Sequence, residues 1–202
     1  MFITASGLLR DDFLWLLPAV LIALFQVKII WARLPKINTT ETEIDGCYKD
    51  WDITRLLYFT YLTYFFLFVQ LVVTILPISS FTFTRFLGYG FVIFGFINSF
   101  VALKTINTNW TGMFQYRIKK GQKLITKGPY GFIRHPIYTS AILEIAGFEL
   151  IANSWLFAPM LVFGYFMMYQ HSLKEEALLE KKFGEEFKEY KRKTKMFIPF
   201  IF

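Results

Sequence analysis

Five long apolar runs interrupt an otherwise polar chain: Phe13 to Ile30, Leu56 to Ile78, Phe86 to Leu103, Ile137 to Ala152 and Trp155 to Tyr169. At ~1.5 Å of rise per residue against a hydrocarbon core of ~30 Å, the first three are long enough to cross a bilayer as helices. The last two fit either two short spans or one re-entrant hairpin. Between the runs, residues 34–52 mix acidic and polar positions and read as a loop with no catalytic pattern. Residues 107–127 turn polar and basic, with Trp110, Met113, Phe114 and Tyr116 placed to rest on lipid headgroups. Beyond Leu173 the spacing of Leu178, Leu179, Phe183, Phe187 and Tyr190 predicts an amphipathic helix emerging from the last span, bent near Gly184. The expected fold is an all-α integral membrane protein of about five transmembrane helices, the last two a short hairpin. Residues 1–202 form one membrane domain, in which 104–136 and 171–199 build a cytoplasmic face.

Composition supports the bilayer as solvent: 55% of the residues are apolar, 20% are aromatic and 25 are Phe. The Lys and Arg residues set an orientation, because cations are retained on the cytoplasmic side. Four lie between Arg33 and Arg55, seven between Lys104 and Arg134 and eight from Lys174 onward, whereas Arg10 and Arg85 fall on the opposite side and Lys28 snorkels from the first span. An outside N-terminus and a cytoplasmic C-terminus satisfy this distribution. The net charge of +7 lies beside apolar spans, which favours anionic lipid headgroups as partners and argues against nucleic acid. The single cysteine, Cys47, cannot close an internal disulfide, and the sequons at Asn38 and Asn109 fall on the cytoplasmic side, where they go unused. The first apolar run lacks a basic leader and a cleavage site and reads as a retained anchor.

The chemistry concentrates at one boundary. Residues Gly128 to Tyr138 read Gly-Pro-Tyr-Gly-Phe-Ile-Arg-His-Pro-Ile-Tyr, an open turn followed by a proline suited to the first turn of a helix. Tyr130, Arg134, His135 and Tyr138 are thereby held at the water–lipid boundary. His171 and Glu175 are four residues apart, on one helical face, while Glu176 points elsewhere as a solvated charge. Glu144 and Glu149 lie within the fourth apolar run. Glu149 reaches the outer interface, and Glu144 faces a cavity or a polar partner such as Gln70 or Asn98. With two histidines and no cysteine beside them, no metal site is expected. A Gly-x-Ser-x-Gly elbow, a P-loop and a dinucleotide-binding glycine turn are absent from the sequence.

The motif Gly128-Pro-Tyr-x3-Arg-His-Pro-Ile-Tyr138, then Glu175-Glu176-x2-Leu179-x3-Phe183-Gly184-x2-Phe187-x2-Tyr190 and a final Ile198-Pro199, resembles the isoprenylcysteine carboxyl methyltransferase family over residues 100 to 199. The resemblance implies an integral membrane enzyme that transfers a methyl group from S-adenosyl-L-methionine to a lipophilic acceptor entering from the bilayer, such as a prenylcysteine carboxylate. It implies that Gln115, Gln122, Lys123, Leu124, Ile125, Tyr130, His135, Pro136, Ile137 and Tyr138 line the cofactor pocket. Glu175 would hold the cofactor from the last helix. The family commonly has His at the position of Gln122 and Arg at that of His171, where the substrate is bound. Gln122 still offers a donor and an acceptor, but His171 lacks the permanent bidentate cation that suits a carboxylate. His171 is therefore expected to orient the substrate or handle a proton.

Two other classes remain open. Sterol and steroid reductases that use NADPH have a similar Arg-His-Pro-x-Tyr segment, although they typically carry Asn before the Tyr, where this chain has Ile137. A membrane protein that keeps the fold without turnover would accommodate the departures at Gln122 and His171.

Overall fold

The third apolar run forms helix α1 (Thr82–Ile106), longer at its N-terminal end than the run itself. The computed structural model describes residues 15–22, 24–25, 42–45, 65, 69, 82–110 and 117–199. Among these, the stretch Phe83–Asn109 is the one helix long and apolar enough to cross a membrane, with 27 residues and a mean hydropathy of 1.9. The second apolar run lies outside the described residues except for helical Phe65 and Val69, and Cys47, Gln70, Met113, Phe114, Gln115 and Tyr116 also lie outside them. Of the first run, residues 15–22 and 24–25 are described and helical.

The fourth and fifth runs form a helical hairpin. Helix α2 (Pro136–Ile151) has 16 residues, about 24 Å at ~1.5 Å each. Helix α3 (Phe157–Phe183) has 27 and continues well past the apolar run, because Gln170 onward is as good a helix former as the segment before it. Gly184, at φ 54°, stops α3, and a short helix α4 (Glu185–Lys193) follows at a new angle, as the glycine predicts.

Helices α1 and α2 pack antiparallel with their backbones in contact. A Cβ on Gly88 would lie 2.6 Å from the Gly147 carbonyl oxygen, and one on Gly147 would lie 2.7 Å from that of Gly88. Close helix approach in a membrane is commonly built from such small residues. Seven residues along, a Cβ on Gly95 would lie 2.7 Å from Cγ of Glu144, so the carboxylate-bearing chain lies across this glycine. Asn98, one suggested partner of Glu144, instead donates to the Pro136 carbonyl at 3.0 Å and to Ser140 Oγ at 2.9 Å. Glu149 is 2% exposed, so its side chain is enclosed by protein. Helical residues Leu16 and Ala19 pack there with Val92, Phe148 and Ile151, which covers that end of α2. Phe83, Phe86 and Phe94 on α1 and Val162 and Phe166 on α3 stay exposed, an apolar surface suited to lipid.

The expectation of an all-helical chain needs one amendment. Strand β1 (Thr42–Asp45), within the loop read at residues 34–52, pairs antiparallel with β2 (Arg117–Lys119) through Ile44 opposite Ile118, with a bulge between Thr42 and Ile44. Strands of three or four residues carry too little alternation to register in a sequence. Ile118 packs in a cluster with Leu178 and Leu179, so the pair rests on the C-terminal half of α3.

Candidate functional site

The motif between residues 128 and 138 is a folded device whose parts follow from local chemistry. Gly128 adopts φ 61° and opens a 3-10 turn over Gly128–Gly131 with Pro129 in its first turn. The chain then extends and runs parallel to the C-terminal segment: Arg134 N–H donates to the Lys195 carbonyl at 2.8 Å and His135 N–H to that of Met196 at 3.1 Å. Pro136 opens α2, and Thr139 Oγ1 donates to the Phe197 carbonyl at 3.1 Å. Tyr190 on α4 donates its hydroxyl to the Tyr130 carbonyl at 2.7 Å. The segment after α3 thus holds the motif in place.

Two adjacent glutamates on α3 meet this motif differently. Glu175 has a side chain 41% exposed and accepts from the Tyr138 hydroxyl at 3.0 Å. Glu176, expected as a solvated charge, is 1% exposed. The 42 residues that separate it from Arg134 hide the reason in sequence: Oε1 accepts from Arg134 Nε at 2.7 Å and lies 3.1 Å from His135 Nε2, while Lys191 Nζ approaches Oε2 at 3.0 Å. Burial alone would raise the Glu176 carboxyl, but the hydrogen bonds and charges of His135 and Arg134 outweigh it and hold the group at about 2. Arg134 also donates to the carbonyls of Lys191 and Thr194, which ties α4 and the tail to the same carboxylate.

An open cleft lies between these pieces. Gln122, Lys123, Leu124 and Ile125 form one wall, and Tyr130, His135 and Glu175 face them. A contiguous recess that shares Tyr130, His135 and Glu175 adds Pro136, Ile137 and Tyr138. The residues expected at a cofactor pocket are therefore brought together, apart from Gln115, which lies outside the described residues. His171 does not line the cleft; it is buried, 5% exposed, one turn before Glu175 on α3. Burial raises the Tyr130 phenol well above its usual range, with the nearby Glu175 charge adding to the effect, so it stays a neutral hydroxyl.

Several lining residues went unassigned in sequence. Trp110 is 8% exposed and lines the cleft instead of resting on headgroups. Its position is set by the end of α1, where Lys119 Nζ donates to the carbonyls of Thr108 at 3.1 Å and Trp110 at 2.9 Å. Asn109 accepts from Lys123 N–H at 2.8 Å and aligns the Gln122–Ile125 wall. Gln122 Oε1 accepts from Lys119 N–H at 3.0 Å, so its acceptor closes the turn after β2. Leu179, Phe187 and Tyr190 supply an apolar wall; their place in the motif was a signal that could have identified them.

Comparison with known proteins bears on the family and the fold. The phospholipid methyltransferase family profile matches residues 83–186. The nickel-cobalt-cadmium resistance protein NccN of Alcaligenes xylosoxydans xylosoxydans is 31% identical over 99 residues, which cover 49% of this chain and 46% of that protein. A protein-S-isoprenylcysteine O-methyltransferase of Xenopus laevis is 28% identical over 134 residues, 63% of this chain and 45% of that one. The chain spans about half the length of these curated relatives. The solved structure of the eukaryotic intramembrane Ras methyltransferase ICMT (isoprenylcysteine carboxyl methyltransferase) superposes with a TM-score of 0.62 at 19% identity, over 98% of this chain and 69% of that one, which shows a shared fold. With the cleft, the lipid-suited faces and a profile match over more than half its length, the chain is an integral membrane protein that belongs to the phospholipid methyltransferase family.

Proposed function

We propose that this protein is a membrane methyltransferase that uses S-adenosyl-L-methionine to methylate a lipophilic acceptor drawn from the bilayer. The observation that carries the reading is the cleft itself: a motif before α2 and a carboxylate after the last apolar run converge on one groove. The relatives named as isoprenylcysteine O-methyltransferases support it, as does the family profile.

The donor set fits this cofactor. Glu175 offers a partly exposed carboxylate for hydroxyl or ammonium donors, and the rings of Trp110 and Tyr130 offer faces to an adenine. The Gln122–Ile125 wall, held by Asn109 and Lys119, adds backbone polar groups at a fixed position. When bound, the cofactor supplies an activated methyl group on a sulfonium. The chain's own contribution is positioning, worth up to ~7–11 kcal/mol when reactants are held at near-attack geometry. Leu179, Phe187 and Tyr190 exclude water from the apolar side of the groove. His171, buried beside this region, would orient the acceptor or take its proton.

The acceptor would enter laterally, past the apolar faces of α1 and α3. A prenylcysteine carboxylate is the favoured class. The distribution of basic residues supports an outside N-terminus and a cleft on the cytoplasmic side, and five apolar crossings, of which α2 and α3 would be a short hairpin, accord with it. Residues 104–136 and 171–199 together make the cofactor-binding face.

Calorimetry on the full chain in detergent separates this reading from its rivals. Binding heat with S-adenosylhomocysteine and none with NADPH is expected. NADPH binding alone would indicate a reductase, and binding of neither would indicate a protein without this chemistry.

A further inference from the structure

Glu176 does not line the cleft, yet it is the most heavily engaged carboxylate beside it. Its neighbour His135 does line the cleft, and the ring is fixed in orientation. Tyr138 stacks on it with centroids 5.5 Å apart and planes 6° from parallel, and Phe197 packs 6.0 Å away. One ring nitrogen, Nε2, lies 3.1 Å from Glu176 Oε1; the other, Nδ1, lies 3.7 Å from Glu175 Oε2. An ionised carboxylate only accepts, so a hydrogen bond to Glu176 requires the proton on Nε2. The charged and titratable groups around the ring are Arg134 and Tyr138 beside it, Glu175 and Glu176 on α3, and Lys191 on α4.

We propose that Glu176 is a positioning residue that fixes the tautomer of His135: by holding Nε2–H, it turns the Nδ1 lone pair toward the cleft, where Nδ1 and Glu175 Oε2 form a paired acceptor. Two acceptors 3.7 Å apart suit a ligand group with two or more donors, an ammonium or a vicinal diol. The ligand assignment rests on the methyltransferase reading, since S-adenosylmethionine carries both groups; the tautomer assignment does not. The consequence is a division of labour along one turn of α3. Glu175 touches the ligand, and Glu176 acts through the histidine.

The chain has two histidines, which makes a direct spectroscopic test practical. The full chain, labelled with 15N-histidine and placed in lipid nanodiscs, is measured by NMR at mildly alkaline pH, with His171→Gln assigning the signals. The wild type should show His135 as the single Nε2–H tautomer. Glu176→Gln keeps an oxygen acceptor and should retain that signature, whereas Glu176→Leu should show both tautomers in exchange. S-adenosylhomocysteine affinity should fall about tenfold or more in Glu176→Leu and stay within about threefold in Glu176→Gln, as expected when a buried polar group loses its partner. If Glu176→Leu does not fold, the wild-type spectrum still tests the assignment, because Nε2–H is the tautomer that the contact with Glu176 requires. An Nδ1–H tautomer in the wild type, or one unmoved by Glu176→Leu, overturns the proposal. The expected tautomer in a wild-type chain that binds no S-adenosylhomocysteine would uphold the positioning and remove the cofactor reading instead.

Discussion

Glu175→Ala and Glu176→Ala, one residue apart, should fail in opposite ways. Glu175 has a side chain 41% exposed, and its hydrogen bond comes from the Tyr138 hydroxyl. Its removal takes about 1 kcal/mol or less from the fold, since the Tyr138 ring remains stacked on His135. From the ligand it removes a charge-assisted hydrogen bond of about 1.5–3 kcal/mol, or roughly a 10- to 150-fold loss of affinity. Glu176 has a side chain 2% exposed and meets Arg134, His135 and Lys191. Removing one partner of such a buried set costs about 3–5 kcal/mol, because Arg134 is left without its carboxylate. Arg134 also ties down the carbonyls of Lys191 and Thr194, so the tail over the motif loosens as well. Thermal unfolding in detergent should show Glu175→Ala near wild type and Glu176→Ala lower by on the order of 10 °C. Calorimetry with S-adenosylhomocysteine should show the affinity loss in the Glu175 variant, which remains folded. Equal destabilisation of the two variants, or wild-type affinity in Glu175→Ala, would contradict this division of roles.

Three further outcomes are expected. Because the Glu176 carboxyl is held at about 2 in the fold against an ordinary 4.5, its stabilisation is fully present above pH 4.5 and is lost as the pH falls toward 2; it amounts to about 3 kcal/mol at ~1.4 kcal/mol per pH unit, and Glu176→Gln should flatten that part of an acid-unfolding profile. Gly88→Ala would set a methyl 2.6 Å from the Gly147 carbonyl oxygen and 2.8 Å from Ile151 N, backbone atoms that cannot turn away, and should lose about 1–3 kcal/mol; Gly90→Ala, with nothing within 4 Å, should unfold at or above the wild-type temperature. His171→Arg should preserve or raise methyl transfer to a carboxylate acceptor such as S-farnesylcysteine, and loss of turnover in a folded variant would show that the imidazole proton is required.

The local structure of the candidate site was more legible in the sequence than the scaffold that builds it. The residues from Gly128 to Tyr138 state their own local structure: a positive-φ glycine, a turn proline and a helix-opening proline fix where Tyr130, His135 and Tyr138 stand. The break at Gly184 was legible for the same reason. What was hidden depends on partners remote in the chain. Glu176 reads as a surface charge until Arg134, His135 and Lys191 close around it. Trp110 reads as an interfacial aromatic until Lys119 gathers the end of α1 beneath the cleft. The β1–β2 pair was invisible because its strands are too short for alternation to show and its pairing spans the whole of α1. Asn98 was one of several partners that depth alone suggested for Glu144, whereas the register set by Gly88 and Gly147 brings it to Pro136 and Ser140.

The central claim, that one groove between the Arg134–Tyr138 segment and Glu175 holds a nucleoside methyl donor, is tested most directly by an experimental structure of the full chain with S-adenosylhomocysteine in lipid. The ligand should occupy the cleft, with a donor group on Glu175 Oε2 and His135 Nδ1 and the adenine between the Gln122–Ile125 wall and the Trp110 and Tyr130 rings. Density elsewhere in the molecule, or a cleft left without ligand at saturating concentration, would contradict it.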